Sequence, residues 1–176
     1  WPALVLGDHL VVSDTHVGFE LELWQQGIKV PMQTDKMAAE LLELAGEWDC
    51  GTLVLNGDVK HELRVYRGRQ AMELEKFMRK LKEQLDVIFI KGNHDGGLRG
   101  RGSLELGKYL IFHGHSFPDG GQLGKHWITG HVHPHVSFTD DLGKRDSLPV
   151  WVLGEAEESV EERYGEKKKT KIIVMP

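Results

Sequence analysis

The chain has 176 residues, 40% of them hydrophobic and 28% charged, with a formal net charge of −5. This is the composition of a soluble globular domain; it excludes a disordered chain, and no apolar run approaches the roughly 20 residues of a membrane-spanning helix. The acidic balance argues against a general nucleic-acid coat but leaves room for a local basic cleft.

In chain order, Leu4–Leu6 and Leu10–Ser13 read as strands joined at Gly7-Asp8, followed by helices over Phe19–Gln26 and Thr34–Trp48. Thr34 suits an N-cap, and Met37, Leu41, Leu42, Leu44 and Ala45 supply one apolar face to the second helix. The run Thr52–Asn56 reads as a buried strand, and Ala71–Leu85 as a helix whose core face is Met72, Leu74, Phe77, Met78, Leu81 and Leu85. Val87–Lys91 is the next strand. Short strands follow at Leu104–Leu106, Tyr109–His113, His126–Thr129, His135–Thr139, Val150–Leu153 and Lys171–Met175, separated by Gly-, Pro- and Asp-containing turns. The first half predicts βαβ units and the second an antiparallel sheet. Packed face to face with helices outside, they give an α/β fold, a four-layer αββα sandwich of two mixed sheets, over a single domain spanning 1–176. The charged blocks of Glu155–Lys171 read as a solvated loop or hairpin arm.

Five segments end in residue types that bind divalent metals: Asp14-Thr15-His16, Gly57-Asp58, Gly92-Asn93-His94-Asp95, His113-Gly114-His115 and Gly130-His131-Val132-His133. Each follows or sits in a short apolar run, and in an α/β sheet ligands collect beyond the carboxyl ends of strands. Asp14 and His16 stand at i and i+2, which point to one side of an extended strand, and His131 and His133 repeat the spacing. Gly57 lets the backbone turn tightly ahead of Asp58, whose two oxygens have lone pairs for two cations. Six of the ten histidines lie between His113 and His135. Singly, each fragment is weak: a lone Asp-x-His is usually a surface pair, and Gly-Asp a turn. Occurring together at successive strand ends, they point to two adjacent borderline metal ions and to phosphoester hydrolysis.

The ordered set Asp-x-His, Gly-Asp, Gly-Asn-His-Asp, His and Gly-His-x-His resembles the calcineurin-like metallophosphoesterase superfamily, with motifs covering Asp14 to His133. The stretch Ser13-Asp14-Thr15-His16-Val17-Gly18-Phe19-Glu20 is most similar to the small SbcD-related archaeal phosphoesterases, although Thr15 stands where relatives often carry Leu. The length leaves no room for the capping domain of full SbcD-type nucleases. The resemblance implies one metal held by Asp14, His16, Asp58 and His133, and another by Asp58, Asn93, His113 and His131, with Asp58 bridging. His113 is preferred to His115 because it completes the strand at Tyr109–Phe112; His115 is left to line the pocket or support the ligands. His94 is expected to face the substrate, protonating the leaving alkoxide or stabilising the transition state. Asp95 either orients that imidazole or caps the following loop.

Arg64, Arg67 and Arg69 follow the Asp58 strand, and Arg99 and Arg101 follow the Asn93 turn, where guanidinium groups suit further phosphates. Each alone reads as a solvated loop arginine; together they tilt the expectation toward a phosphodiester, DNA or RNA included, with Tyr66 as a base-stacking candidate. A phosphomonoesterase or nucleotide pyrophosphohydrolase is the enzymatic alternative, and a non-catalytic protein-interaction scaffold the third. Manganese is the first cation expected, with iron, zinc or nickel as alternatives, and affinity should fall in acid because the imidazoles must be neutral. The lone Cys50 and a start, Trp1-Pro2-Ala3-Leu4, without a secretory pattern set the expectation of a cytoplasmic protein with no membrane partner; a homodimer is among the expected assemblies.

Overall fold

Two apolar runs at the start of the chain, β1 (Leu4–Leu6) and β2 (His9–Val12), fold back antiparallel and pair Leu6 with His9. The computed structural model describes residues 1–62, 68–119, 125–166 and 168–176. Helices α1 (Phe19–Gln25) and α2 (Thr34–Glu47) lead to β3 (Thr52–Asn56), and α3 (Gly68–Lys82) leads to β4 (Asp86–Ile90). Strands β2, β3 and β4 run parallel, giving the order β1-β2-β3-β4. Leu41 and Ala45 of α2 and Leu74, Phe77 and Leu81 of α3 recur at three and four residues, so each helix buries one stripe. These stripes cover Leu10, Val12, Leu53 and Leu55, alternate residues of β2 and β3. Met72, expected in this core, is 67% exposed, because it lies on the side of α3 opposite the stripe through Leu74.

The second sheet contains β5 (Ser103–Leu106), β6 (Tyr109–Phe112), β7 (His126–Thr129), β10 (Val152–Glu155) and β11 (Lys171–Val174), in the order β10-β11-β7-β6-β5. It is mixed: β5/β6 and β10/β11 are antiparallel, whereas β6/β7 and β7/β11 are parallel. The sequence suggested hairpins throughout because turn residues abound, but β6 and β7 are separated by enough chain for a parallel return. Val11, Val54 and Ile90 of the first sheet meet Leu104, Ile111 and Ile128 of the second, forming the layer between them.

The fourth layer comes from the segment read as a solvated arm. Residues Glu157–Tyr164 form α4, and Ala156, Val160 and Tyr164, four apart, pack on Leu110, Phe112 and Trp127. One apolar residue per turn among charged blocks is enough for a helix seen by the core on a single edge, and too few to register as periodic. The architecture is thus helices, sheet, sheet, helix. Between β7 and β10 the chain forms an antiparallel hairpin, β8 (His135–Thr139) with β9 (Arg145–Pro149), exposed along both strands. Among the described residues no helix is long and apolar enough to cross a membrane.

Candidate metal centre

The five motifs leave the ends of β2, β3, β4, β6 and β7 and interlock there. The backbone amide of Asp14 donates to the Gly57 carbonyl at 3.1 Å and that of His16 to the Asp58 carbonyl at 3.0 Å. The His94 amide donates to Asp58 Oδ1 at 2.8 Å, and the His131 amide to Asp14 Oδ2 at 3.0 Å, tying loops of the two sheets together.

Local backbone shape, rather than strand alternation, aims these side chains. Asp14, His16, Asp58, His131 and His133 have φ of 55°, 43°, 48°, 69° and 45°, in the left-handed region. Among the described residues, Asp49 alone joins them as a non-glycine with positive φ. The expectation that i and i+2 converge because the strand is extended is therefore corrected: each pair lies past its strand end, turned by left-handed residues. Such conformations persist only where surrounding contacts fix them, and they gather at functional sites.

Ligand-type atoms of Asp14, His16 and His133 lie within 4.8 Å of one another, and so do those of Asp58, His113 and His131. His133 Nε2 stands 3.0 Å from Asp14 Oδ1, and His113 Nε2 lies 3.2 Å from Asp58 Oδ2 and 3.9 Å from Asp14 Oδ1, spanning the two groups. The His113 ring donates from Nδ1 to the Asn56 carbonyl at 3.0 Å, turning the Nε2 lone pair toward the carboxylates. Asp14 Oδ1 and His113 Nε2 are both buried without a hydrogen-bond partner. Orphaned buried acceptors are expensive, and a divalent cation among carboxylate and imidazole donors relieves them. The residues present therefore fit metal ions.

Their protonation states fit as well. Burial pushes the His16 imidazole down to about 4, against the pull of Asp58 and Asp14, so it is neutral at physiological pH. For Asp58, burial alone would raise the pKa, but the His113 ring and the His94 amide outweigh it and hold the carboxyl at about 2. Burial also opposes a proton on His113, yet Asp58 and the Asn56 carbonyl raise its proton affinity above the ordinary value, a pull equally available to a cation.

Asn93, His94 and His131 line a cleft of about 750 Å³ together with Asp14, His16 and Asp58. The His94 ring donates from Nδ1 to the His61 carbonyl at 2.5 Å and brings Nε2 to 3.9 Å from Asp58 Oδ2. Asp95 does not orient that ring. Its buried carboxylate accepts the Val59 and Lys60 amides at 3.0 and 3.3 Å and the Gly92 amide at 2.8 Å, bracing the Asp58 and Asn93 loops against each other. Burial, the largest influence, raises its pKa. His115 stands outside both ligand groups, its ring 5.5 Å from His113 and 6.2 Å from His131.

Arg99 and Arg101 are exposed and line no part of this cleft; Arg101 instead pairs with the β4 edge, accepting the Lys91 amide at 2.8 Å. Arg69 lies over the Trp24 ring at 4.3 Å. Arg64, Tyr66 and Arg67 lie outside the described residues. The residue that sequence reasoning missed is His61, which lines the cleft with Nδ1 3.3 Å from His16 Nδ1 and Nε2 paired with Glu22 Oε2. Its position three residues after Asp58 was the available signal.

Glycines let the loops interlock this closely. A Cβ on Gly92 would sit 2.1 Å from Asp58 Oδ1 and 2.4 Å from the Asp58 amide nitrogen, and one on Gly130 would sit 1.8 Å from Ser13 Oγ. Gly92→Ala is expected to lower the melting temperature, since overpacking typically costs about 1–3 kcal/mol, and to reduce bound metal. Gly102→Ala, whose Cβ meets nothing within 4 Å, is the matched control; equal behaviour of the two variants would overturn the expectation.

Carboxylate- and imidazole-bearing loops, gathered at strand ends from two stacked sheets, define a metal-dependent hydrolase of the α/β sandwich class. The sequence profile of the calcineurin-like phosphoesterases matches residues 9–174, and the chain belongs to that family. It is accordingly a metal-dependent phosphoric ester hydrolase. Among solved structures, it is similar to the crystal structure of the Pseudomonas putida nuclease MPE, with a TM-score of 0.60 and 24% identity over 96% of this chain and 74% of that one. A search of curated proteins finds no significant match.

Proposed function

We propose that the protein is a phosphodiesterase using two divalent cations, one held by Asp14, His16, Asp58 and His133 and the other by Asp58, Asn93, His113 and His131. The observation that carries this reading is the pair of ligand groups meeting where Asp14 Oδ1 and His113 Nε2 lie buried 3.9 Å apart, each without a hydrogen-bond partner. When bound, such cations supply a water that is nucleophilic near neutral pH and stabilise charge on the phosphoryl oxygens. Asp58, ionised and fixed by the His94 amide on Oδ1, turns Oδ2 toward His113 and would be the carboxylate shared by the two cations. His94, held by the His61 carbonyl, faces the cleft from beside Asn93 and donates a proton or hydrogen bond to the departing oxygen. No covalent bond from protein to phosphorus is needed.

A diester is favoured because the cleft extends well beyond the ligand groups, leaving space for a second ester substituent. The nuclease named for the similar structure makes DNA or RNA the substrates to try first. Manganese is the first cation to supply, and the single Cys50 suits a reducing cytoplasm. The test is metal analysis followed by hydrolysis of bis- and mono-(p-nitrophenyl) phosphate and of labelled single- and double-stranded DNA with manganese. About two metal equivalents, preference for the diester and full loss on chelation are expected. Monoester turnover without diester turnover would replace this reading by a phosphomonoesterase, and inactivity with bound metal would favour a scaffold.

A further inference from the structure

Beyond the ligand groups the cleft is lined by Phe19 and Trp1, exposed aromatic side chains that no core cluster includes. Phe19 opens α1 three residues after His16, and its amide donates to the His16 carbonyl at 3.1 Å, so its position is coupled to a ligand residue. Its ring is 46% exposed, belongs to none of the three core clusters, and lines the cleft. It stands edge-on to His61 with centroids 4.9 Å apart, and His61 in turn lies 5.3 Å from His16. Trp1, 41% exposed, lines the same cleft and donates from Nε1 to Glu40 at 2.7 Å; Glu20, Gln33, Lys36 and Met37 also line it.

We propose that Phe19 is the stacking platform for the base of the nucleoside esterified to the scissile phosphate, an inference that rests on the phosphodiesterase reading. A phosphate seated between the ligand groups carries its ester substituent sideways. One histidine ring separates those groups from Phe19, a gap that a pentose bridges. Any base presents a π-face to an exposed phenyl ring, so this recognition needs no hydrogen-bond code and tolerates all sequences. An aliphatic alcohol on the same phosphate would gain none of the stacking.

The manganese-loaded enzyme is assayed on methyl p-nitrophenyl phosphate and on thymidine p-nitrophenyl phosphates joined through the 5′ or 3′ oxygen. Their leaving groups are identical, so the ratio of kcat/KM for a thymidine ester to that for the methyl ester isolates the nucleoside. In the wild type this ratio is expected to exceed one for at least one isomer. Base stacking is worth roughly tenfold, and Phe19→Ala is expected to lower the ratio by about that factor. Phe19→Leu, which keeps the bulk without a π-face, should fall nearly as far, and Phe19→Trp should restore it. A merely structural role would lower turnover of all esters alike and leave the ratio unmoved, overturning the proposal. A wild-type ratio near one for both isomers would also overturn it while leaving the phosphodiesterase reading intact. Hydrolysis of p-nitrophenyl phosphate but of no diester would remove both.

Discussion

Asp58→Asn is expected to lower kcat/KM for a diester by at least about 10³ and to release metal. The substitution keeps the side chain's size and one oxygen to accept the His94 amide, now 2.8 Å from Oδ1, so the loop has no steric reason to move. It removes the negative charge and replaces Oδ2, which faces His113 Nε2 at 3.2 Å, with an amide nitrogen that does not bind a cation. Electrostatic stabilisation by a bound metal is worth several kcal/mol, and roughly 4 kcal/mol corresponds to a thousandfold in rate. Metal analysis should fall from about two equivalents toward one or none, while circular dichroism stays native. Two retained equivalents with near-native turnover would show that Asp58 does not join the cations.

His94→Ala separates chemistry from metal binding. The ring stands beside Asn93 but outside both ligand groups, and its Nδ1 is engaged by the His61 carbonyl. Loss of a positioned proton donor typically reduces rate by about 10²–10⁴, and metal content should not change. The size of the loss should depend on the leaving group. A p-nitrophenolate leaves without a proton, whereas the alkoxide of a dinucleotide does not, so the variant should retain more activity on bis-(p-nitrophenyl) phosphate than on a dinucleotide. A drop in metal content would mean that His94 is itself a ligand, and equal losses on both substrates would remove the proton-donor role.

The sandwich was legible because each element of the first sheet declares its period. The stripes of α2 and α3 and the apolar runs of β3 and β4 agree with the turn residues around them. The residue types of the candidate site were legible too, because side chains of metal-binding type follow successive strands. What was hidden lies below the resolution of patterns. No periodicity reveals that Asp14 and His16 turn through positive φ, since aspartate and histidine occur in many conformations. Asp95, adjacent to His94 in sequence, reaches back to Val59 and Lys60 instead, a tertiary choice driven by backbone amides that needed an acceptor. His61 gave only a lone histidine, and its value comes from meeting His16 and Glu22 in space. α4 shows the core a single residue per turn, too sparse a pattern to outweigh its charged blocks.

The five aspartates and histidines of the site that hold a left-handed backbone give the molecule an asymmetric mutational landscape. Glycine accepts that geometry freely, whereas each L-residue holding it forgoes about 1 kcal/mol or more. His133→Gly should therefore melt at a higher temperature than the parent when both are stripped of cations, and a lower one would refute the idea. Drift away from hydrolysis would run downhill in stability. A lineage that used this sandwich only as a platform would have little reason to resist that slope, and a chain that still stands on it at all five points bears the mark of a working enzyme.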